Sequence, residues 1–392
     1  MKFLFIDYNE PVFNGEEIIW KGSMTLPGGE SHNIFFEFSY PNDAQFKPSI
    51  RPFLIAFLVP AMRLGLPIRT DKPIDLTTLN NLMEWQEAME LWRKPLLQKV
   101  SIKAPIESGS ALNTPATGQS ITAFSGGVDS CFTAFRHALP NDDLHRQSVL
   151  GAGLMVGGFD IPISQTEVFN SAWRRSESIL KSIGVPLYRL RTNLRQMEKT
   201  FGCCWETETH GTWLAATLAC YESCFSPVII PSTYIYEKLK LPWASNPITD
   251  HLFSSDMVSF WHDGAAYNKL TKVQAIASQP SVQENLRVCW QGQELDRNCG
   301  KCFKCIATQV CFWLSGVENP ACFPNPCTID QIAQSSLRND QNQYLFEQLS
   351  QVALSQGKTE LNRALISAIK RHRNHLFRRR AKETVKYFLG SH

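Results

Sequence analysis

From Ile121 onward the chain alternates short apolar runs with longer amphipathic stretches. Ile121–Phe124, Ser148–Val156, Pro186–Leu190 and Val228–Ile230 read as buried strands. Between them, helical spacing predicts a helix from about Asp129, a second over Gln165–Ile183 and a third over Thr212–Ser223. Strands separated by helices imply right-handed crossovers and a parallel sheet, with ligands taken at its carboxyl edge. The fold class expected is therefore α/β.

The region ahead of Ile121 is patterned differently. Lys2–Ile6 and Asn33–Ser39, rich in Phe and Ile, predict strands. Ser49–Leu66 and Leu76–Leu97 predict helices, the second with Leu79, Leu82, Trp85, Met89, Leu91 and Trp92 near helical spacing. Ser108–Ser120, made largely of Ser, Thr, Gly, Ala and Pro, is the expected linker. Helical stretches follow the last clustered cysteine. They carry a basic run from Lys370 to Arg380 that includes Arg378, Arg379 and Arg380. Such a run is a solvated helical face or a contact for an acidic partner or nucleic acid. Three parts are expected: an N-terminal α+β extension over 1–115, a main domain over 120–315, and a helical C-terminal extension over 316–392.

Composition narrows the class. With 392 residues, 43% of them hydrophobic, the chain can bury a large interior and reads as globular. A net charge of +3 gives nucleic acid no special claim as a partner. The longest apolar run, Phe53–Leu66, is broken by Pro60 and Arg63, so it suits a buried helix and no membrane contact is expected. Met1–Asp7 lacks the features of an export signal, so a cytoplasmic setting is expected, with the 12 cysteines as thiols or metal ligands.

The chemistry-bearing string is Ser125-Gly126-Gly127-Val128-Asp129-Ser130, set between an apolar strand and a helix. Two glycines allow unusual torsions and close ligand approach. Successive amides at a helix start form a concavity suited to anions. Ser125 and Ser130 add hydroxyls; Asp129 can cap the helix, orient the loop or hold Mg2+ near phosphates. The string is not a Walker A loop, because the lysine of that pattern is absent.

Cys289, Cys299, Cys302 and Cys305 form a second constellation, C-x9-C-G-x-C-x2-C. Gly300 permits a tight turn, and four thiolates saturate Zn2+ in a closed structural site. Unligated thiols and an iron–sulfur cluster are the alternatives. Lys301 and Lys304 would offset the negative charge. The other eight cysteines lack ligand spacing and read as core residues.

Further candidates lie between Pro231 and Lys272. Ser232, Thr233 and Tyr234 follow the last clear strand, where such a sheet presents ligands. Ser245, Asn246, Asp250, Ser254 and Ser255 read as loop chemistry, and His262-Asp263-Gly264 as a turn or a site contributing an imidazole. Asp250 and Asp263 are the carboxylates available to a purine-like ligand, although turn and cap roles compete. His210, with Gly211, opens a helix as a cap or as a catalytic group.

The string SGGVDS resembles the signature of the PP-loop ATP pyrophosphatases, which adenylate a carboxylate or a tRNA base and release pyrophosphate. The resemblance implies a PP-loop (HUP-like) parallel sheet flanked by helices, with ATP and Mg2+ as cofactors. It implies that Ser125, Gly126, Gly127, Val128, Asp129 and Ser130 hold the leaving pyrophosphate, with Asp129 and Ser130 closest to the chemistry. Adenine would lie past Met155–Phe159, where Gly157 and Gly158 allow close approach or form a plain turn.

Loop and cysteines together, over residues 120 to about 315, resemble the 7-cyano-7-deazaguanine synthases, which activate 7-carboxy-7-deazaguanine and use ammonia. The long flanks are more similar to synthase-like proteins of bacterial anti-phage islands, such as the Qat system and certain CBASS operons. Those proteins are implicated in joining a deazaguanine to a protein amine. Ile306, Ala307, Thr308 and Gln309 stand where the synthases carry an arginine and a Gly-Phe pair. That departure leaves nitrile, amide or protein conjugate open as the product. For a deazapurine acid, position after the strand and side-chain chemistry make Ser232, Thr233, Asn246, Asp250 and Asp263 the expected contacts. Competing readings are a tRNA-modifying PP-loop enzyme and an inactive nucleotide-binding module.

Overall fold

The computed structural model describes residues 2–41, 44–107, 117–139, 146–289 and 291–389, the last dozen by their main chain. The chain divides into two compact units, Met1–Tyr267 and Asn268–His392. The first unit opens with strands β1 (Leu4–Tyr8), β2 (Val12–Asn14), β3 (Glu17–Thr25) and β4 (Ser31–Ser39). Helix α1 (Arg51–Leu64), strand β5 (Ile68–Arg69), helix α2 (Leu76–Arg93) and strand β6 (Ile102–Lys103) follow. Next come β7 (Ser120–Ala123), α3 (Val128–Ala138), β8 (Leu150–Gly157), α4 (Thr166–Lys181) and β9 (Leu187–Thr192). The unit closes with α5 (Gln196–Phe201), a π-helical turn over Trp205–Thr209, α6 (His210–Ala219), β10 (Val228–Pro231) and β11 (Phe260–Asp263).

All eleven strands join one sheet, ordered β11-β10-β7-β8-β9-β4-β3-β1-β5-β6, with β2 paired to β3. The five strands from β11 to β9 are mutually parallel. Within that half the chain runs outward from β7 through β8 to β9, then returns to β10 and β11 on the other side. The order therefore reverses between β7 and β10, which opens a crevice at their carboxyl ends.

The N-terminal region is built into this sheet. Strand β4 pairs antiparallel with β9, placing Phe36 opposite Thr192 and Phe38 opposite Leu190. Strands β3 and β4 alternate buried and half-exposed residues, with Ile18, Trp20 and Met24 beside Ile34, Phe36 and Phe38 inside. Gly22 continues the inward row without a side chain, because Phe53 of α1 occupies its place; a Cβ there would lie 2.3 Å from that ring. Every residue of α1 from Arg51 to Met62 is buried, which explains its unbroken apolar run. Trp213 of α6 donates its indole N–H to the carbonyl of Ala56 at 3.0 Å, tying the two helices together.

Some boundaries differ from expectation. Helix α2 ends at Arg93 rather than Leu97, ahead of Pro95, whose ring disfavours helical torsions in the residue before it. The helix expected over Thr212–Ser223 starts at His210 and ends at Ala219. His262 and Asp263, read with Gly264 as a turn or a site, are the last two residues of strand β11. Of the expected linker, residues 108–116 lie outside the described residues, and Ser120 already belongs to β7.

The second unit is helical: α7 (Lys269–Ile276), α8 (Pro280–Asn285), α9 (Phe303–Leu314), α10 (Ile329–Ala333), α11 (Asp340–Ser355) and α12 (Thr359–Leu389). Helices α10 and α11 both pack on α12, and Phe303 stacks on Phe346 between α9 and α11 at 5.3 Å. No helix among the described residues is long and apolar enough to cross a membrane.

Candidate functional site

The string 125–130 lies at the carboxyl end of β7, beside the point where strand order reverses. Phe124 closes the strand by donating its N–H to Leu154 at 2.8 Å. The chain then turns through Gly126 at φ +73°, and Gly127 caps α3 in an extended conformation, with no side chain over the helix start. A Cβ on Gly126 would sit 2.6 Å from the Ser176 hydroxyl of α4, so both torsion and space require glycine there. The amides of the first turn lie outside the helical ladder and carry the positive end of its dipole. Ser130 is buried: its hydroxyl accepts from the Ser125 N–H at 3.3 Å and donates to the Gly127 carbonyl at 3.1 Å. It laces the loop into shape. Ser125 is exposed and Asp129 half-buried in the first helical turn.

Gly158 follows β8 at φ +99°, and a Cβ there would meet the Thr192 carbonyl of β9 at 2.0 Å. The absence of a side chain lets the ends of β8 and β9 close on each other. Gly157 lies buried under Phe169 of α4.

The residues following β10 separate into two groups. Ser232 is buried and gives its N–H to the Asp263 carbonyl at 2.7 Å, whereas Thr233 is exposed. Strand β11 sends neighbouring side chains to opposite faces of the sheet. Asp263 faces α3, where it takes the Thr133 hydroxyl at 2.8 Å and pairs with Arg136 and with His137 at 3.5 Å. Burial pushes its carboxyl up, but His137, Arg136 and Thr133 outweigh that and hold it below the usual range. His262 faces the other way, with Nδ1 2.7 Å from Asp250. Asp250 also accepts from the Ser245 hydroxyl at 2.7 Å and the Asn246 N–H at 3.0 Å. Asn246 is spent on its own loop, its amide bonding Trp243 and Thr249 and its carbonyl taking the Ile248 N–H at 2.9 Å. The two aspartates thus belong to opposite faces, and each is already engaged by protein groups.

A row of rings escaped the sequence reading. Phe159 meets Trp205 at 5.0 Å, Trp205 meets His210 at 5.7 Å, His210 meets Trp243 at 5.3 Å, and Trp243 meets Tyr234 at 4.8 Å. The row runs from the end of β8 to the end of β10, and Arg195 lies 4.1 Å over Trp205. Burial lowers the His210 imidazole below its ordinary value despite the nearby Asp250. A Cβ on Gly211 would fall 1.9 Å from the Ala244 carbonyl, so glycine admits the 241–246 loop to the start of α6. Glu208 pins the π-helical turn, bonding Arg63 at 2.6 Å, Arg93 at 2.5 Å and the Cys204 N–H at 3.0 Å. These residues share no motif, and only the fold assembles them.

The second unit holds the cysteine cluster. Sulfurs of Cys289, Cys299, Cys302 and Cys305 all lie within 4.8 Å of one another. Adjacent pairs stand 3.5, 3.7 and 3.9 Å apart. Metal–sulfur bonds of about 2.3 Å in a tetrahedron demand edges of about 3.8 Å, so the set could hold a single ion such as zinc. A multi-iron cluster spreads its ligand sulfurs further apart than one such edge. Gly300, at φ +72°, turns the chain between the first two CxxC cysteines, and Cys302 caps α9. Asn298, also missed, clamps the approaching segment. Its carbonyl takes the Val288 and Cys289 N–H groups at 2.8 and 3.3 Å, and its amide reaches Leu286 and Cys322. Crowding splits the thiols: hydrogen bonding with Cys305 brings Cys302 down to about 5, while Cys305 is pushed up. Of the other eight cysteines, seven are buried and Cys204 is half-buried.

No family model, no curated protein and no solved structure matches the chain.

Proposed function

We propose that the chain is an ATP pyrophosphatase of the PP-loop kind, activating a heteroaromatic carboxylic acid for attack by an amine. One observation carries the reading: an SGGVDS loop with Gly126 at φ +73° opens a helix at the end of β7, where strand order reverses. A crevice of that type takes nucleotides in open α/β sheets. Main-chain amides of the loop, with the Ser125 hydroxyl, would grip the departing pyrophosphate, an electrostatic role that needs no protein nucleophile. Ser130 keeps the loop in that shape. Asp129 orients the first turn and would hold Mg2+, which when bound neutralises charge on the pyrophosphate.

A carboxylate is a poor electrophile. Its oxygen attacks the α-phosphorus, the bond to pyrophosphate breaks, and the acid becomes an acyl-adenylate. The amine nitrogen then bonds to the acyl carbon, AMP departs with the electron pair, and the amine proton passes to solvent. The acid best supported by the resemblance of loop and cysteines is 7-carboxy-7-deazaguanine. The acceptor is ammonia or, as in anti-phage synthase-like proteins, a protein amino group. The cysteine centre is structural, since four thiolates leave a metal no open position.

The test is a product assay. Protein, ATP, Mg2+, 7-carboxy-7-deazaguanine and ammonium should give AMP and pyrophosphate on chromatography, and Asp129→Ala should abolish both. ADP in place of AMP would sink the mechanism, and ATP binding without pyrophosphate release would establish an inactive nucleotide-binding module.

A further inference from the structure

Both carboxylates available to bind a purine-like ring are already engaged by the protein, which raises the question of what would take their place. His262 is the candidate. Its side chain is 5% exposed, and its Nε2 is buried without a hydrogen-bond partner. Asp250, fully buried, accepts from Ser245 and Asn246 and presses an oxygen against His262 Nδ1 at 2.7 Å. A carboxylate can only accept, so Nδ1 carries a proton, and in the neutral imidazole Nε2 is then left with a lone pair. The arrangement manufactures a buried acceptor. Leaving such a group unpaired is costly, and unpaired groups in native proteins call for an explanation.

Other unpaired atoms surround the same segments. Trp243 Nε1, which can only donate, is buried without a partner, as are the hydroxyls of Thr207 and Thr209 on the π-helical turn. The segments are joined through Asp250, which holds His262 and takes the Ser245 hydroxyl and the Asn246 N–H of the loop that carries Trp243, and the His210 ring meets Trp243 at 5.3 Å. Isolated π-helical turns gather at functional sites. A buried acceptor and a buried donor beside a row of aromatic rings complement a planar heterocycle that carries a ring N–H next to a carbonyl.

We infer that His262 reads the ring N–H of the heteroaromatic acid, with Trp243 serving its carbonyl and Asp250 acting as the positioning residue that fixes the imidazole proton. The inference rests on the function proposed above and supplies that function with its substrate-reading residue. His262 is the next-to-last residue of β11 and pairs with Ile230 of β10. It therefore stands one strand from the crevice in which the loop lies.

The experiment separates the two substrates. AMP release is followed while either 7-carboxy-7-deazaguanine or ATP is varied, with melting curves to confirm folding. His262→Leu should raise the KM for the acid about 50-fold, the scale on which sites reject a partner that leaves a polar group unpaired, with the KM for ATP unchanged. His262→Gln, whose carbonyl can reach the Nε2 position, should return to within about fivefold of the wild type. Asp250→Asn should behave like the leucine variant, because its amide can donate to Nδ1 and turn Nε2 into a donor. Should the leucine variant fail to fold, His262→Asn replaces it, its amide being too short to reach. An unchanged KM for the acid in these variants, or equal rises for acid and ATP, would overturn the inference alone. No AMP from the wild type would overturn the function and this inference together.

Discussion

The cysteine cluster and the 125–130 loop are built from opposite materials. The centre is made of side chains: four sulfurs within 4.8 Å that match the edges of a metal tetrahedron. The loop is made of main chain: a glycine at φ +73°, an extended glycine cap and the first amides of α3. Sulfur geometry names the class of its ligand, because only a thiophilic ion draws four thiolates that close. Backbone amides name only a charge, since any anion is welcome at a helix start. A reading of the loop therefore leans on its place in the sheet, while the cysteines by their own spacing could hold a metal ion.

Damage to each site should leave the other unaffected, and the effects descend in size. The largest follows from the cysteines. Cys299→Ser should reduce bound metal from about one ion per chain to a trace by elemental analysis. Because a structural zinc site contributes about 10 kcal/mol or more, the helical unit should lose its cooperative melting. Zinc is the ion expected, and iron as the native ion would break that half of the comparison. Next comes Glu208→Gln, which leaves Arg63 and Arg93 without their buried partner. Removing one member of such a set costs about 3–5 kcal/mol, to be read as a shift in urea midpoint with metal content unchanged.

Gly126→Ala is smaller in stability and sharper in function. A side chain forced into a left-handed torsion costs about 1–3 kcal/mol and must also displace Ser176. A loop misplaced by an ångström should slow AMP formation about 100-fold. Metal content at the wild-type level would confirm that main chain and sulfur act independently. Smallest is a slope. The Asp263 carboxyl is held below its usual range, so the stability it contributes is complete above the unfolded value and disappears as pH falls through the folded one. Between about pH 4 and pH 2 the urea midpoint of Asp263→Asn should fall less steeply than that of the wild type.

Legibility followed the same division. Strands β7, β8 and β10 were readable because a parallel strand covered on both faces is largely an apolar run. The cysteine spacing and the SGGVDS string were readable because each is local. Strand β11 was not, since Phe260-Trp261-His262-Asp263 hides its polar residues in partnerships with Asp250 and with Arg136, which no window along the chain contains. Strand β3 was obscured by Gly22, whose missing side chain is supplied by Phe53 from another element.

Local order, then, was largely written in the residues: where the inner parallel strands and the longer helices fall, where the chain must turn through glycine, and which sulfurs can meet. Placement was not. That β4 docks on β9, that Asp250 and Asp263 turn to opposite faces, and that His262 pairs with Asp250 and keeps an unpaired nitrogen all depend on contacts between distant segments. Torsions and periodicity act over a few residues, whereas packing selects one arrangement among many with equal local merit.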